Sequence, residues 1–415
     1  RPIRPNPLIP RFTIFFVYNK LNNIYPIFRR RKFSKKSKVF NIFVIKRFTM
    51  RYYLIAGEAS GDLHGSNLIL GLKAEDPKAE FRFWGGDLMA SASGVSPVCH
   101  YREGAVMGLT DVAAKAGRLL ANIRHCKEDI LEWKPDVVIL IDYPGFNMRI
   151  AEFCHERGIR VFYYIAPKTW ASREGRNRKI KAWVDRLFIV FPFEIPYFKE
   201  KGIPFTYRGN PLVDAVDNHE YRRPFDGPYI ALLAGSRKGE ISRMMPVCME
   251  VADKIGCRVV IAGAPSRSIG DYAQYIGGRK NVEIMFGRTY DILKFADAAI
   301  INSGTASLEA ALIGTPQVVC WSTSPFTAFV ARKILHVLDH VKYISLGNLC
   351  LDKLAFRELI QEDFTEANVS AEVRRLTGDE AYRGRMLEDY AAIRESLGGT
   401  GASRAVARAM IEELS

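Results

Sequence analysis

From Tyr52 onward, short runs of consecutive apolar residues alternate with longer stretches whose apolar positions recur every three or four residues. The continuous runs predict strands buried on both faces of a parallel sheet, and the wider spacing predicts the helices that cover it. In the first half the strands fall at 52–56, 136–142 (DVVILID), 160–166 and 186–191, with helices over 62–74, 112–133 and 147–157. Such alternation implies right-handed βαβ units.

The periodicity lapses at Gly209-Asn210-Pro211 and through the polar stretch 217–228, then resumes with strands at 229–235, 258–263, 281–286, 298–303 and 316–321. The expected architecture is therefore α/β, with two Rossmann-like doubly wound domains facing a cleft. Their boundaries are 50–210 and 211–415, the second ending in helices, and a segment at 1–49 lies outside both. Ligands of such sheets sit beyond the carboxyl ends of the strands.

Charge changes the picture less than it first promises. The formal net charge is +15, but residues 1–49 hold 13 Lys or Arg and no acidic residue, leaving 47 basic against 45 acidic residues in the rest. A nucleic-acid partner is not expected on that balance. The first 49 residues also contain no Gly, Ala or Met, which favours upstream sequence joined to a protein that naturally starts at Met50. A membrane-surface arm is the competing reading, since Arg29-Arg30-Arg31-Lys32 and Lys35-Lys36 are interleaved with aromatics. The run 12–18 is too short to span a bilayer. Seven cysteines form no Cys-x-x-Cys pair and fall mostly in or beside apolar segments, as reduced buried thiols would. His336 and His340 have helical spacing without the Glu of a zincin motif, and no metal site or cofactor is expected.

The chemistry concentrates in turns that follow strands. Gly57-Glu58-Ala59-Ser60-Gly61-Asp62 is not Gly-x-Gly-x-x-Gly, and no Gly-x4-Gly-Lys-Ser/Thr loop occurs, so dinucleotide and P-loop chemistry lose support. Glu58 and Asp62 can cap a helix or meet a substrate. Asp142 ends DVVILID, where it can serve as a general base or cap the helix expected from Asn147. Ala234-Gly235-Ser236-Arg237 offers a guanidinium to a leaving diphosphate, or an ordinary exposed arginine. Ser303-Gly304-Thr305 opens a helix, with Ser303 or Thr305 suited to capping and free amides suited to pyrophosphate. Glu309 lies just over one turn inside that helix, placed to accept hydrogen bonds from ribose hydroxyls.

Together these segments resemble the lipid-A-disaccharide synthase family, glycosyltransferases of the two-domain GT-B type. The resemblance runs from Met50 almost to the C-terminus through GEASGD (57–62), AVMG (105–108), KPDVVILIDYPGFN (134–147), YYIAPKTWA (163–171), FPFE (191–194), AGSR (234–237), SGTASLEAAL (303–312), YISLGNL (343–349) and ELIQ (358–361). It implies an inverting transfer from UDP-2,3-diacylglucosamine to 2,3-diacylglucosamine 1-phosphate (lipid X), giving a β-1,6-linked disaccharide 1-phosphate and UDP. The acceptor then belongs to 50–210 and the UDP-sugar to 211–415. Asp142 and Glu58 become the catalytic carboxylates, and Arg237, Ser303, Gly304, Thr305, Glu309 and Asn348 the UDP contacts. The resemblance also implies a peripheral enzyme on the cytoplasmic face of the inner membrane. Val106, Met107 and Leu109, with Val112, Leu119 and Leu120, are the candidate bilayer or acyl-chain contacts, with core packing as their alternative. The chain departs from the family at Gly145, where a second Asp is usual, at Ala234 and Gly347, where Pro is more usual, and at Asn210, where His is common. Oligomeric state is left open.

Overall fold

The computed structural model describes residues 49–104, 112–170, 174–323 and 342–415. Two parallel sheets carry the fold. The first joins β1 (Arg51–Ala56), β2 (Glu80–Gly85), β3 (Cys99–His100), β4 (Val137–Ile141), β5 (Arg160–Tyr164), β6 (Arg186–Ile189) and β7 (Phe205–Tyr207) in the order β3-β2-β1-β4-β5-β6-β7. The second joins β8 (Ile230–Leu233), β9 (Val259–Gly263), β10 (Val282–Phe286), β11 (Ala298–Asn302), β12 (Gln317–Trp321) and β13 (Glu358–Ile360) in the order β10-β9-β8-β11-β12-β13.

Both orders contain one reversal, between β1 and β4 in the first sheet and between β8 and β11 in the second. At these switch points the connecting helices leave toward opposite faces and open a crevice at the strand ends. Every residue of β4 and β11 is buried, which is why both read as unbroken apolar runs. The expected strands are all present, each within a few residues of its expected ends. Four strands escaped the pattern. β3, β7 and β13 have only two or three residues each, and β2 (EFRFWG) carries Arg82, whose guanidinium is neutralised by Asp129.

The first sheet is covered differently on its two faces. One face, including Tyr53, Val138 and Tyr163, forms a core of its own with the helices Val112–Trp133 and Pro144–His155. The other face, including Leu54, Ile139 and Tyr164, belongs to a continuous core that also contains the second sheet. The link is made by the chain's last helix, Ala402–Leu414, which packs on Ala59–Glu75 of the first sheet. A Cβ on Gly71 would stand 2.9 Å from the Ser403 carbonyl, and Arg404 and Arg408 both pair with Glu75. The boundary expected at residue 210 therefore does not cut the chain into two separate halves. The C-terminal segment returns to the first sheet, and Asp214 holds it there by accepting the Gly401 and Ser403 amides.

Candidate functional site

The switch points collect the turns in which chemistry was expected. At the first, β1 runs into Gly57-Glu58 and β4 into Asp142-Tyr143. At the second, β8 runs into Ala234–Arg237 and β11 into Ser303–Thr305. The two sets meet: Nη2 of Arg237 lies 3.6 Å from Oε1 of Glu58.

Asp142 does not cap the following helix. That helix begins at Pro144, its N-cap position is Tyr143, and no side chain caps it. Asp142 and Tyr143 instead take consecutive left-handed conformations, with φ of 44° and 46°. Aspartate tolerates this region better than most residues; tyrosine pays for it in strain. The turn is held from outside. The amide of Asn147 donates to the carbonyls of Ile55 (3.4 Å), Ile141 (3.2 Å) and Asp142 (2.8 Å), and the Tyr163 hydroxyl donates to the Asp142 carbonyl at 2.6 Å. Gly57 makes room for the turn, because a Cβ there would stand 2.4 Å from the Tyr143 ring. Ile165, at the end of the adjacent β5, is also left-handed (φ 62°), a costly conformation for a β-branched residue.

Burial lifts the Asp142 pKa above the usual aspartate range. Lys168 opposes that rise, Glu58 adds to it, and the Tyr143 amide and Arg237 oppose it. A carboxylate made more basic in this way is better matched to accepting a proton near neutral pH.

Glu58 stands at the N-cap of Ala59–Glu75 without capping it by its side chain, and is more than half exposed. Asp62, in contrast, is consumed by structure. It is 3% exposed and accepts the amides of Gly86 (2.7 Å), Leu88 (3.1 Å) and Met89 (3.1 Å) at the start of Asp87–Ser93.

At the second switch point neither Ser303 nor Thr305 caps the helix Thr305–Ile313. Its N-cap is Gly304, no side chain caps it, and the Ser303 hydroxyl points to the Ile344 carbonyl at 3.4 Å. The positive end of the helix is thus left for an anion. Arg237 reaches toward Glu240 (3.3 Å) as well as Glu58, while Glu240 accepts the Ser236 and Arg237 amides. Gly235 (φ 101°) allows this turn to lie against Asn302, where a Cβ would come within 2.9 Å of the side-chain amide. Glu309 accepts the Tyr290 hydroxyl at 2.8 Å through Oε1. Burial raises its pKa and the Tyr290 hydrogen bond lowers it.

Asn348 is not brought to these turns. It is fully buried, and its amide is fully engaged, donating to the Phe356 carbonyl and Glu358 and accepting the Ala355 and Phe356 amides. Glu358 also receives the Ile344 and Ser345 amides. Asn348 therefore fixes the segment behind Ser303 and has no hydrogen-bonding capacity left for a nucleotide. Val106, Met107 and Leu109 lie outside the described residues.

Three groups in this region carried no assigned role in the sequence. Tyr290 orients Glu309. Lys168 acts electrostatically on Asp142. Glu194 is buried, accepts the Val190 and Phe191 amides and the Trp170 indole N–H, and has its pKa pushed up by burial to about 7. The last two lay inside YYIAPKTWA and FPFE, and for Glu194 an acidic residue in an aromatic run was the available signal. Among the described residues, no group of three or more His, Cys, Asp or Glu side chains could hold a metal ion.

Residues 52–396 match the family model described as lipid-A-disaccharide synthetase. The lipid-A-disaccharide synthase of Trichlorobacter lovleyi is 35% identical over 371 residues, covering 86% of this chain and 96% of that protein. The chain belongs to the lipid-A-disaccharide synthase family. It is a glycosyltransferase with the GT-B fold, and solved structures bear out that fold across low identity. A putative UDP-N-acetylglucosamine 2-epimerase from Listeria monocytogenes superposes with a TM-score of 0.65 at 13% identity, covering 88% of this chain and 97% of that one. The kitacinnamycin glycosyltransferase gives 0.58 at 17% identity, covering 88% and 100%. Family membership thus rests on sequence along most of the chain, and the shared fold on the two switch-point sheets.

Proposed function

We propose that this chain condenses UDP-2,3-diacylglucosamine with 2,3-diacylglucosamine 1-phosphate, forming the β-1,6-linked disaccharide 1-phosphate and releasing UDP. The observation that carries the reading is Asp142, a carboxylate of raised pKa that caps nothing and stands in the same electrostatic cluster as Arg237 of the opposite sheet.

The acceptor 6-hydroxyl attacks the anomeric carbon of the donor from the face opposite UDP. Its oxygen forms the new C–O bond as its proton passes to Asp142, and the bond between the anomeric carbon and the diphosphate oxygen breaks. The amides at Gly304 and Thr305, together with Arg237, stabilise the charge that collects on UDP. Preorganised donors of this kind are each worth about 3–4 kcal/mol in the transition state. Ser303 supports that turn and Glu309 receives the ribose hydroxyls. Glu58 holds Arg237 in the cleft until the diphosphate replaces it.

Both substrates carry acyl chains. A recess walled by Ile55, Trp84, Tyr101, Tyr143 and Phe146 adjoins the first switch point and offers apolar surface there, though it is far too small to enclose a chain. The helix Val112–Trp133 exposes Leu120 at 62%, with exposed Arg124 one turn further on the same face, a surface matched to anionic lipid. No described helix is long and apolar enough to cross a membrane. The exposed leucine and arginine support peripheral attachment, which this reading places on the cytoplasmic face of the inner membrane.

The test is turnover by purified protein in mixed micelles with both substrates. Disaccharide and UDP should appear together, in equal amounts and only when both substrates are present. Sugar epimerised at C2 from the donor alone would reject the reading.

A further inference from the structure

Two basic side chains that follow β5 act electrostatically on the first switch point, Lys168 on Asp142 and Arg176 on Tyr163. Lys168 is exposed, and Arg176, the first residue of the helix Arg176–Trp183, is half-exposed. Among the described residues neither makes an ion pair or hydrogen bond. Arg237 differs, since Glu58 and Glu240 both compete for it.

Topology brings Lys168 beside Asp142, the proposed base. β5 lies beside β4, Asp142 donates its amide to the Tyr164 carbonyl, and Tyr163 donates its hydroxyl to the Asp142 carbonyl. Lys168 follows four residues after Tyr164. Its charge is the largest one acting on Asp142, and that of Arg176 is felt by Tyr163.

The backbone that presents Lys168 is pinned. Ala166 and Thr169 are 4% and 2% exposed, and Ile165 is held left-handed at the root of the segment. Beyond Lys168 the Trp170 indole donates to Glu194 at 3.3 Å and packs edge-on against Phe193 at 5.0 Å. A buried, anchored segment that leaves one cation in solvent loses little entropy when an anion arrives.

We propose that Lys168 and Arg176 bind the phosphate on the anomeric carbon of the acceptor sugar and so select a phosphorylated acceptor over its dephosphorylated form. The proposal rests on the acceptor reading given above. With the 6-hydroxyl at Asp142, the phosphate lies close by, because the carbons that carry the two groups flank the same ring oxygen. A phosphate monoester carries close to two negative charges and takes charge-assisted hydrogen bonds from both side chains. Glu194 acts through Trp170 and is a positioning residue.

The test compares two acceptors in mixed micelles, 2,3-diacylglucosamine 1-phosphate and 2,3-diacylglucosamine. Lys168→Ala and Arg176→Ala should each raise KM for the phosphorylated acceptor roughly 10- to 100-fold, the worth of one charged hydrogen bond. KM for the other acceptor and the affinity for UDP should stay at wild-type values, and Lys168→Arg should restore most of the loss. Equal losses on both acceptors would overturn the proposal. So would a changed acid limb of the pH–rate profile with unchanged discrimination, which would reduce Lys168 to a modulator of Asp142. Calorimetric titration of each acceptor separates this failure from that of the reaction itself. A wild-type chain that binds both acceptors equally defeats the phosphate site whether or not disaccharide forms, whereas preferential binding without turnover supports the site and defeats the reaction.

Discussion

The two switch points share a topology and differ in how they present chemistry. In the first sheet the turn after β4 places two consecutive non-glycine residues, Asp142 and Tyr143, in left-handed conformations, and Ile165 repeats this after β5. In the second sheet the left-handed position after β8 falls on Gly235, and β11 passes through Gly304 into an uncapped helix. A diphosphate can be held by backbone amides, which small residues expose cheaply. A general base must be a side chain aimed at one atom, and in the proposed mechanism that aim is obtained by straining the backbone at Asp142 and holding it with Asn147 and Tyr163. On the proposed reading the diphosphate is met chiefly by main-chain amides, whereas the acceptor hydroxyl is met by a side chain.

Replacing Asp142 by Asn should break this contrast most severely. Asn tolerates the left-handed region and keeps the shape, so kcat should fall by roughly 10²–10⁴, the usual worth of a general base. Melting temperature should not drop, because burial already disfavours the ionised carboxylate that the substitution removes. UDP affinity, read by calorimetry, should be unchanged. Near-normal turnover would move the base elsewhere, with Glu58 next to test.

Glu194 sharpens the acceptor side through pH. Its folded pKa is raised from 4.5 to about 7, so the folded state holds the proton more tightly than the unfolded state. Its contribution to stability is therefore greatest below about pH 4.5 and is lost as pH rises toward 7, by at most about 3 kcal/mol. In Glu194→Gln, denaturant unfolding between pH 4.5 and 8 should lack this decline. Parallel stability curves for the two proteins would show that the carboxyl does not titrate in that window.

The donor side should respond in KM rather than kcat. Glu309→Gln should raise the donor KM about 10-fold with kcat nearly unchanged, since ribose is gripped in both ground and transition states. Tyr290→Phe should cost only about 3-fold, the scale of one neutral hydrogen bond. The double variant should be no worse than Glu309→Gln if Tyr290 acts through Glu309. Additive losses would give Tyr290 a contact of its own.

The contrast also explains what could be read early. Strands buried on both faces must be apolar throughout, so VVILI at β4 and AAIIN at β11 stood out. β13 (ELI) and β7 (FTY) pair along one edge over three residues and leave too short a pattern to recognise. Among the candidate residues, Glu309 and the Ser303–Thr305 turn could be singled out because a small-residue turn opening a helix is a local device. Asp62 and Asn348 lie in equally suggestive segments. Their polar atoms are spent on Gly86, Leu88 and Met89 in one case and on Ala355, Phe356 and Glu358 in the other.

By itself the order of residues determined the family, the two parallel sheets and the turns that end their strands, because these depend on local periodicity and on motifs contiguous in the chain. Tertiary structure decided which polar groups remained free. Whether a carboxylate is spent as a cap or left free depends on amides that arrive from other segments: they reach Asp62 and not Asp142. The nearness of Lys168 to Asp142 likewise follows from β5 lying beside β4. The return of Ala402–Leu414 to the first sheet is of the same kind, resting on Asp214, Glu75 and Gly71, residues some 190 to 330 positions away from their partners. Burial and charge act through space, and the chain brings those groups together only once it has folded.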